Sequence, residues 1–266
     1  MKPNWKHAAA ALAAALTLTM PAALGARVVA DGSPLSTEQA WVEQGVTYIT
    51  LSAYADHTGR TLTWDGSRAR LSGEGLELTA RPGELYITAN DRALYVPGGV
   101  DVVEGRTVLP LRVLAQAAGD ELTWDGSADT VRLRTGADEP ATASYAEEDL
   151  YWLARVISAE SRGEPLLGQI AVGNVVLNRV KESQFPDTIK GVVFDRKNGV
   201  QFEPTANGTI YNEPTQTSVL AAKLCLEGAD VVGDCLYFFA PELSQGKWIV
   251  NNRKYYTTIG CHRFYL

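Results

Sequence analysis

Glu160 is the residue of this 266-residue chain best placed for acid–base chemistry. It closes the run Ile157-Ser158-Ala159-Glu160, and Gly163 and Pro165 follow at once as helix stops. A helix C-terminus carries partial negative charge, and an apolar neighbour withdraws water; both disfavour a carboxylate. A glutamic acid kept protonated near neutral pH is what protonation of a glycosidic oxygen requires. On spacing alone, a surface glutamate in a polar turn is the simpler reading. Glu203 is the candidate second carboxylate, a base for hydrolysis, against the simpler reading of a solvated loop acid. Gln201, Phe202, Tyr237 and Phe239 offer amide and aromatic faces suited to a sugar. Strand alternation puts Tyr237 and Phe239 on one side, as a cleft wall or as a core face. Asn174 and Asn178 are amides on an otherwise apolar helix, where they face a cleft or tie down backbone.

Other chemistries find fewer residues. A zinc amidase or peptidase needs several His or carboxylate ligands, whereas His57 and His262 fall in different halves of the chain. His262 reads as a structural histidine. A cysteine peptidase needs a thiolate beside a histidine, and Cys225 lies within the apolar run Val219–Leu226. Three cysteines are an odd count; Cys235 and Cys261 are candidates for a bridge. No metal or cofactor is expected.

The elements that must position Glu160 follow from periodicity. Leu150, Leu153, Ala154 and Ile157 form one apolar stripe of a helix that Ser144 and Glu147 would open as a capping box. Pro165 opens a second helix, Leu166 to Val180, apolar nearly all round and so central and buried. A catalytic domain is therefore expected over residues 145–266, folding independently after a linker at 136–144.

Upstream, Leu62-Thr63-Trp64-Asp65-Gly66-Ser67 recurs sixty positions later as Leu122-Thr123-Trp124-Asp125-Gly126-Ser127. Each copy reads as a strand, a helix and a hairpin, with Pro110 able to begin the second helix and Gly119 to end it. Trp64 and Trp124 could stack on sugar, but at equivalent repeat positions they read as core residues. Over residues 40–135 this pattern resembles the bacterial surface stalk domain that is similar to the N-terminal domain of copper amine oxidases. The stretch Arg106 to Arg112 with Leu122 to Asp125 carries the likeness. It implies a small α/β spacer or wall-anchoring module and no copper, since His57 stands alone there.

The second half has its own likeness. Ala159 to Pro165, Gly168 to Val180, Phe185 to Ile189, Gln201 to Pro204, Leu236 to Phe239 and Ile259 to Tyr265 together resemble the SleB-type cell wall hydrolases of spore cortex lysis. The resemblance spans residues 147–266. It implies an α+β fold overall, with a lysozyme-like catalytic domain acting on peptidoglycan as a lytic transglycosylase or muramidase. The family's catalytic glutamate falls on Glu160; the alternatives to a glycan-cleaving enzyme are an N-acetylmuramoyl-L-alanine amidase and a non-catalytic wall-binding surface protein. Cys261 and Glu203 depart from the pattern, standing where a polar residue and a serine are more usual.

The N-terminus and the charge set the context. Lys2, Lys6 and His7 precede an apolar run to Met20, then Pro21 and small residues, the order of a secretory signal peptide over 1–25. The product is expected outside the cytoplasm, in the wall or spore cortex, without stable membrane insertion. Net charge is −7, more negative still without Lys2 and Lys6. That disfavours nucleic acid, whose phosphates need offsetting cations. Peptidoglycan is the expected partner, with accessory spore or wall proteins as further candidates.

Overall fold

The computed structural model describes residues 26–197 and 199–266. The signal peptide expected over 1–25 lies outside the described residues.

The repeat governs the first domain. Strand Val46–Thr50 runs into helix Leu51–Thr58 and the hairpin Thr61–Trp64/Ala69–Gly73; strand Arg106–Pro110 runs into helix Leu111–Ala118 and the hairpin Glu121–Asp125/Thr130–Arg134. The two leading strands pair antiparallel, Val108 opposite Thr50 and Leu109 opposite Ile49, so the copies face each other across one sheet. Both helices end on a left-handed glycine, Gly59 and Gly119. Pro110 does not begin the helix; its extended backbone makes it the last strand residue, opposite Tyr48, and the helix starts one position later. Strand Arg27–Ala30, ahead of the expected boundary at 40, pairs in parallel with Thr130–Arg134. A five-stranded antiparallel meander ends on the edge strand Arg92–Tyr95.

Trp64 and Trp124 are not core residues. They are 56% and 57% exposed. Alternation places each on the same face as Leu62 or Leu122, which pack partly against the core. Both stand on edge strands, and it is their cross-strand partners, Ala69 and Val131, that are buried on that face, so the core ends before it reaches the indoles.

The second domain is built on three helices, Glu147–Ser161, Leu166–Lys181 and Gln216–Leu226, with a three-stranded sheet at its side, Tyr237–Phe239, His262–Tyr265 and Tyr255–Ile259 in that order. The central helix buries a continuous stretch from Gly168 to Val176. A Cβ on Gly173 would lie 2.7 Å from Cys225 Sγ and 2.8 Å from Ile157 Cδ1, so only glycine lets the three helices approach this closely. The expected capping box does not form. The first helix starts at Glu147, its N-cap Ala146 supplies no side-chain bond, and Glu147, Glu148 and Asp149 favour the helix N-terminus by charge instead. All three cysteines are free; Cys235 is buried while Cys261 is exposed, so the bridge considered from sequence is absent.

The two domains are docked. The segment 136–146 has no helix or strand, yet Asp138 N–H donates to Gly119 O at 2.8 Å. Edge strand Arg92–Tyr95 packs on helix Gln216–Leu226, and Ala93 is buried in the second domain's core. Arg92 donates from Nε and Nη2 to Glu227 Oε2 at 3.0 and 2.8 Å and from Nη1 to Gln116 O, with both charged side chains 9% exposed. Gln116 returns a bond from Nε2 to Glu227 O. A sheet edge that would otherwise present unpaired backbone is thereby covered. The plain composition of the linker gave no sign of this interface.

Candidate active site

Glu160 occupies the last turn of helix Glu147–Ser161 and is half-buried. Burial pushes its carboxyl up to about 7; the Arg179 guanidinium pulls the other way and Glu203 adds repulsion. The helix end expected to matter is not among these causes: loss of water dominates. A carboxylic acid in this range holds its proton at neutral pH and can give it up without strong base.

Arg179, to which the sequence alone assigns no role, is the cation facing this acid. It is the one basic residue within the apolar stretch Ile170–Val180 of the central helix, and it is buried. Nε donates to Leu236 O at 2.8 Å, while Nη1, fully enclosed, has no hydrogen-bond partner. The rings of Phe185, Phe202 and Tyr237 surround the guanidinium at 5.1, 5.2 and 5.7 Å. Burial lowers its pKa to about 10, so it stays charged at neutral pH.

The residues expected to bind sugar separate into two groups. Tyr237 and Phe239 lie on one strand, both partly exposed. Tyr237 Oη accepts from Arg253 Nη2 at 2.9 Å, and its ring meets Trp248 edge-on, a 57% exposed indole that no sequence motif singles out. Arg253 in turn lies 5.0 Å from the Trp248 ring. Phe239 stacks on Tyr265 at 5.7 Å. Gln201 is partly exposed in the loop, its Nε2 3.3 Å from Gly199 O. Glu203 is exposed one position beyond Phe202.

Phe202 and Asn174, by contrast, do not line a surface. Phe202 is 2% exposed and belongs to the core beneath Arg179, while Gln201 before it is partly exposed and Glu203 after it is exposed. Asn174 is buried with its amide fully engaged: Nδ2 donates to Ala229 O at 2.6 Å and Oδ1 accepts from Val231 N at 3.0 Å. It ties the loop after helix Gln216–Leu226 to the central helix. Asn178 does the same for Gly233 O and Cys235 O. His262 is buried against Phe238, with Nδ1 3.8 Å from Glu164 Oε1, and burial lowers its pKa. Glu164 also accepts from Cys261 N at 2.9 Å, holding the last hairpin to the start of the central helix. Among the described residues no group of three or more His, Cys, Asp or Glu side chains is arranged to hold a metal ion. No helix among them is long and apolar enough to cross a membrane.

Known proteins resemble both halves. Residues 29–133 match the copper amine oxidase N-terminal domain, and residues 163–265 match the cell wall hydrolase domain. The latter match begins three residues after Glu160, whose candidacy therefore stands on its surroundings. A spore cortex-lytic enzyme of Bacillus cereus is 40% identical over 120 residues, 45% of this chain and 45% of that one. The chain thus spans less than half the length of such relatives. The cell wall hydrolase CwlJ of Oceanobacillus iheyensis is 32% identical over 136 residues, covering 47% of this chain and 91% of that one. Among solved structures, the catalytic domain of the germination-specific lytic transglycosylase SleB from Bacillus anthracis is 38% identical, covering 47% of this chain and 100% of that one with a TM-score of 0.43. With its described fold in two docked halves and a near-complete relative of this kind aligned to the second, the chain belongs to the cell wall hydrolase family.

Proposed function

We propose that this protein is exported and cleaves the glycan strands of peptidoglycan in the cell wall or spore cortex, with Glu160 as the general acid. The observation that carries the reading is a half-buried glutamic acid held near pKa 7 beside a buried, incompletely bonded arginine, in a chain of this family. Glu160 gives its proton to the glycosidic oxygen as the C–O bond breaks. The carboxylate left behind faces the Arg179 cation, which offsets the cost of ionising a desolvated group. An oxocarbenium-like sugar is then trapped by its own hydroxyl, leaving an anhydro end and returning a proton to the Glu160 carboxylate, or by water, leaving a reducing end and giving the proton to Glu203. Tyr237, Phe239 and Gln201, with Trp248 beside them, supply the sugar-facing surface.

Glu203 favours keeping the hydrolytic branch open, because its charge is felt at Glu160 and its exposed carboxylate can orient a water. The names of the relatives suggest cortex lysis for this chain as well, and a leader over 1–25 would deliver it there.

The test is to incubate the purified protein with peptidoglycan and identify the released fragments by mass spectrometry. Anhydro-muramic ends support the single-acid route, reducing ends the Glu203 route, and freed stem peptides an amidase. Glu160→Gln is expected to abolish release while the thermal midpoint moves by only a few degrees. Exhaustive EDTA treatment is expected to leave cleavage unchanged; loss restored by added zinc would overturn the reading.

A further inference from the structure

The first domain holds two large aromatic side chains that its folding does not use. Trp64 and Trp124 stand at equivalent positions of the two repeats, each more than half exposed. Each is followed by the same rigid turn. Asp65 Oδ1 accepts from the Ser67 and Arg68 N–H groups and the Ser67 hydroxyl, and Asp125 Oδ1 accepts from the Ser127 and Ala128 N–H groups and the Ser127 hydroxyl. Each aspartate also pairs with an arginine on the returning strand, Arg70 at 3.2 Å and Arg132 at 3.0 Å. The indoles are thus carried on braced hairpin ends, so their presentation to solvent costs little ordering when a ligand arrives.

Beside Trp64 lies an open hollow of about 530 Å³, where the first hairpin meets the one formed by Asp101–Val103 and Arg106–Pro110. Gly66, Ser67, Pro82, Val102 and Thr107 help to line it, and no charged side chain does. One indole face, a small apolar floor, hydroxyls and glycine backbone at the rim suit a pyranose ring, which is apolar on its C–H face and polar at its edge. A protein partner would want a wider apolar patch around the indole, and an anionic polymer would meet a chain of net charge −7. An exposed indole on a braced turn that occurs twice, once per repeat, suits a ligand that is itself a repeat.

We propose that the first domain binds the uncharged sugar units of peptidoglycan glycan, Trp64 and its hollow taking one pyranose ring and Trp124 offering a second stacking face. This rests on the membership of the cell wall hydrolase family and not on the assignment of Glu160. The domain is then a second point of attachment to the polymer, separate from the residues around Glu160.

The test is co-sedimentation of the full chain with purified peptidoglycan in the cold, where cleavage is slow, and the same assay on chitin as a peptide-free glycan. Trp64→Ala is expected to weaken binding about tenfold, the effect of one lost aromatic stacking contact. The double variant with Trp124→Ala should lose more, and Trp64→Phe should recover most of the loss. Equal weakening on both polymers supports sugar recognition. Binding of the double variant within twofold of the parent overturns the proposal. So does a parent that sediments as a dimer while the double variant is a monomer, since the indoles would then serve contact between copies. These side chains are exposed, so unchanged circular dichroism and melting are expected throughout.

Discussion

At the scale of single residues, the acid is set by its loss of water and tuned by one cation. In an unfolded chain Glu160 would titrate near 4.5, and in the fold near 7. Between those values the native state holds a proton that the unfolded state has released. Stability therefore falls as pH rises from about 4.5 to about 7 and is level above. Glu160→Gln cannot ionise, so it should match the parent in urea at pH 4 and exceed it at pH 8; equal midpoints at both would show that the acid is not shifted. Cleavage by the parent should fall as pH passes through about 7, where the acid loses its proton. Arg179 pulls that value down, so Arg179→Met should move the alkaline limb of the kcat profile to higher pH, whereas Arg179→Lys should leave it in place. Both variants lose the bond to Leu236 O, and both lose rate; the position of the limb is what separates a charge effect from a structural one. Glu160 could be singled out from a local pattern, a helix stop after an apolar stripe. Arg179 could not, although a lone cation within Ile170–Val180 was a signal that something polar must lie opposite it. The burial of Phe202 was hidden because it lies in a segment without helix or strand, where no periodicity assigns a side chain to a face.

At the scale of elements, most of the architecture was legible because it is written in short-range periodicity. The strand–helix–hairpin repeat, the apolar stripe of Glu147–Ser161 and the central helix all follow from residues within four or five positions of one another. What failed were inferences needing the third dimension. Ser144 and Glu147 have capping-box spacing, but the chain is still extended at Ala146, so the hydroxyl has no helix to cap. Leu62 and Trp64 share a face, and only the place of their strand at the sheet edge decides that one is partly covered and the other not. Asn174 belongs here too, since a buried amide on a helix announces a partner without naming it. Replacing it by alanine strands Ala229 O and Val231 N, and should lower stability by about 2 kcal/mol in urea titration while adding no new shift in the pH profile. A loss below about 0.5 kcal/mol would mean that water takes over both bonds.

At the scale of the whole molecule, the joint between the halves was illegible because Arg92 and Glu227 stand 135 positions apart, each an unremarkable surface charge in its own neighbourhood. Removing one partner leaves the other charge enclosed, so Arg92→Ala should cost about 3–5 kcal/mol, and Glu227→Gln together with it should restore part of that. The same contact bears on how the protein comes apart. Ala93 fills a space in the core of the opposite half, and Arg92 and Glu227 satisfy each other there, so neither half can open without exposing what the other was covering. Heating should therefore give one calorimetric peak rather than two. A protease that nicks the segment 136–146 should leave both pieces travelling together on a sizing column, held by their shared surface after the covalent tie is gone.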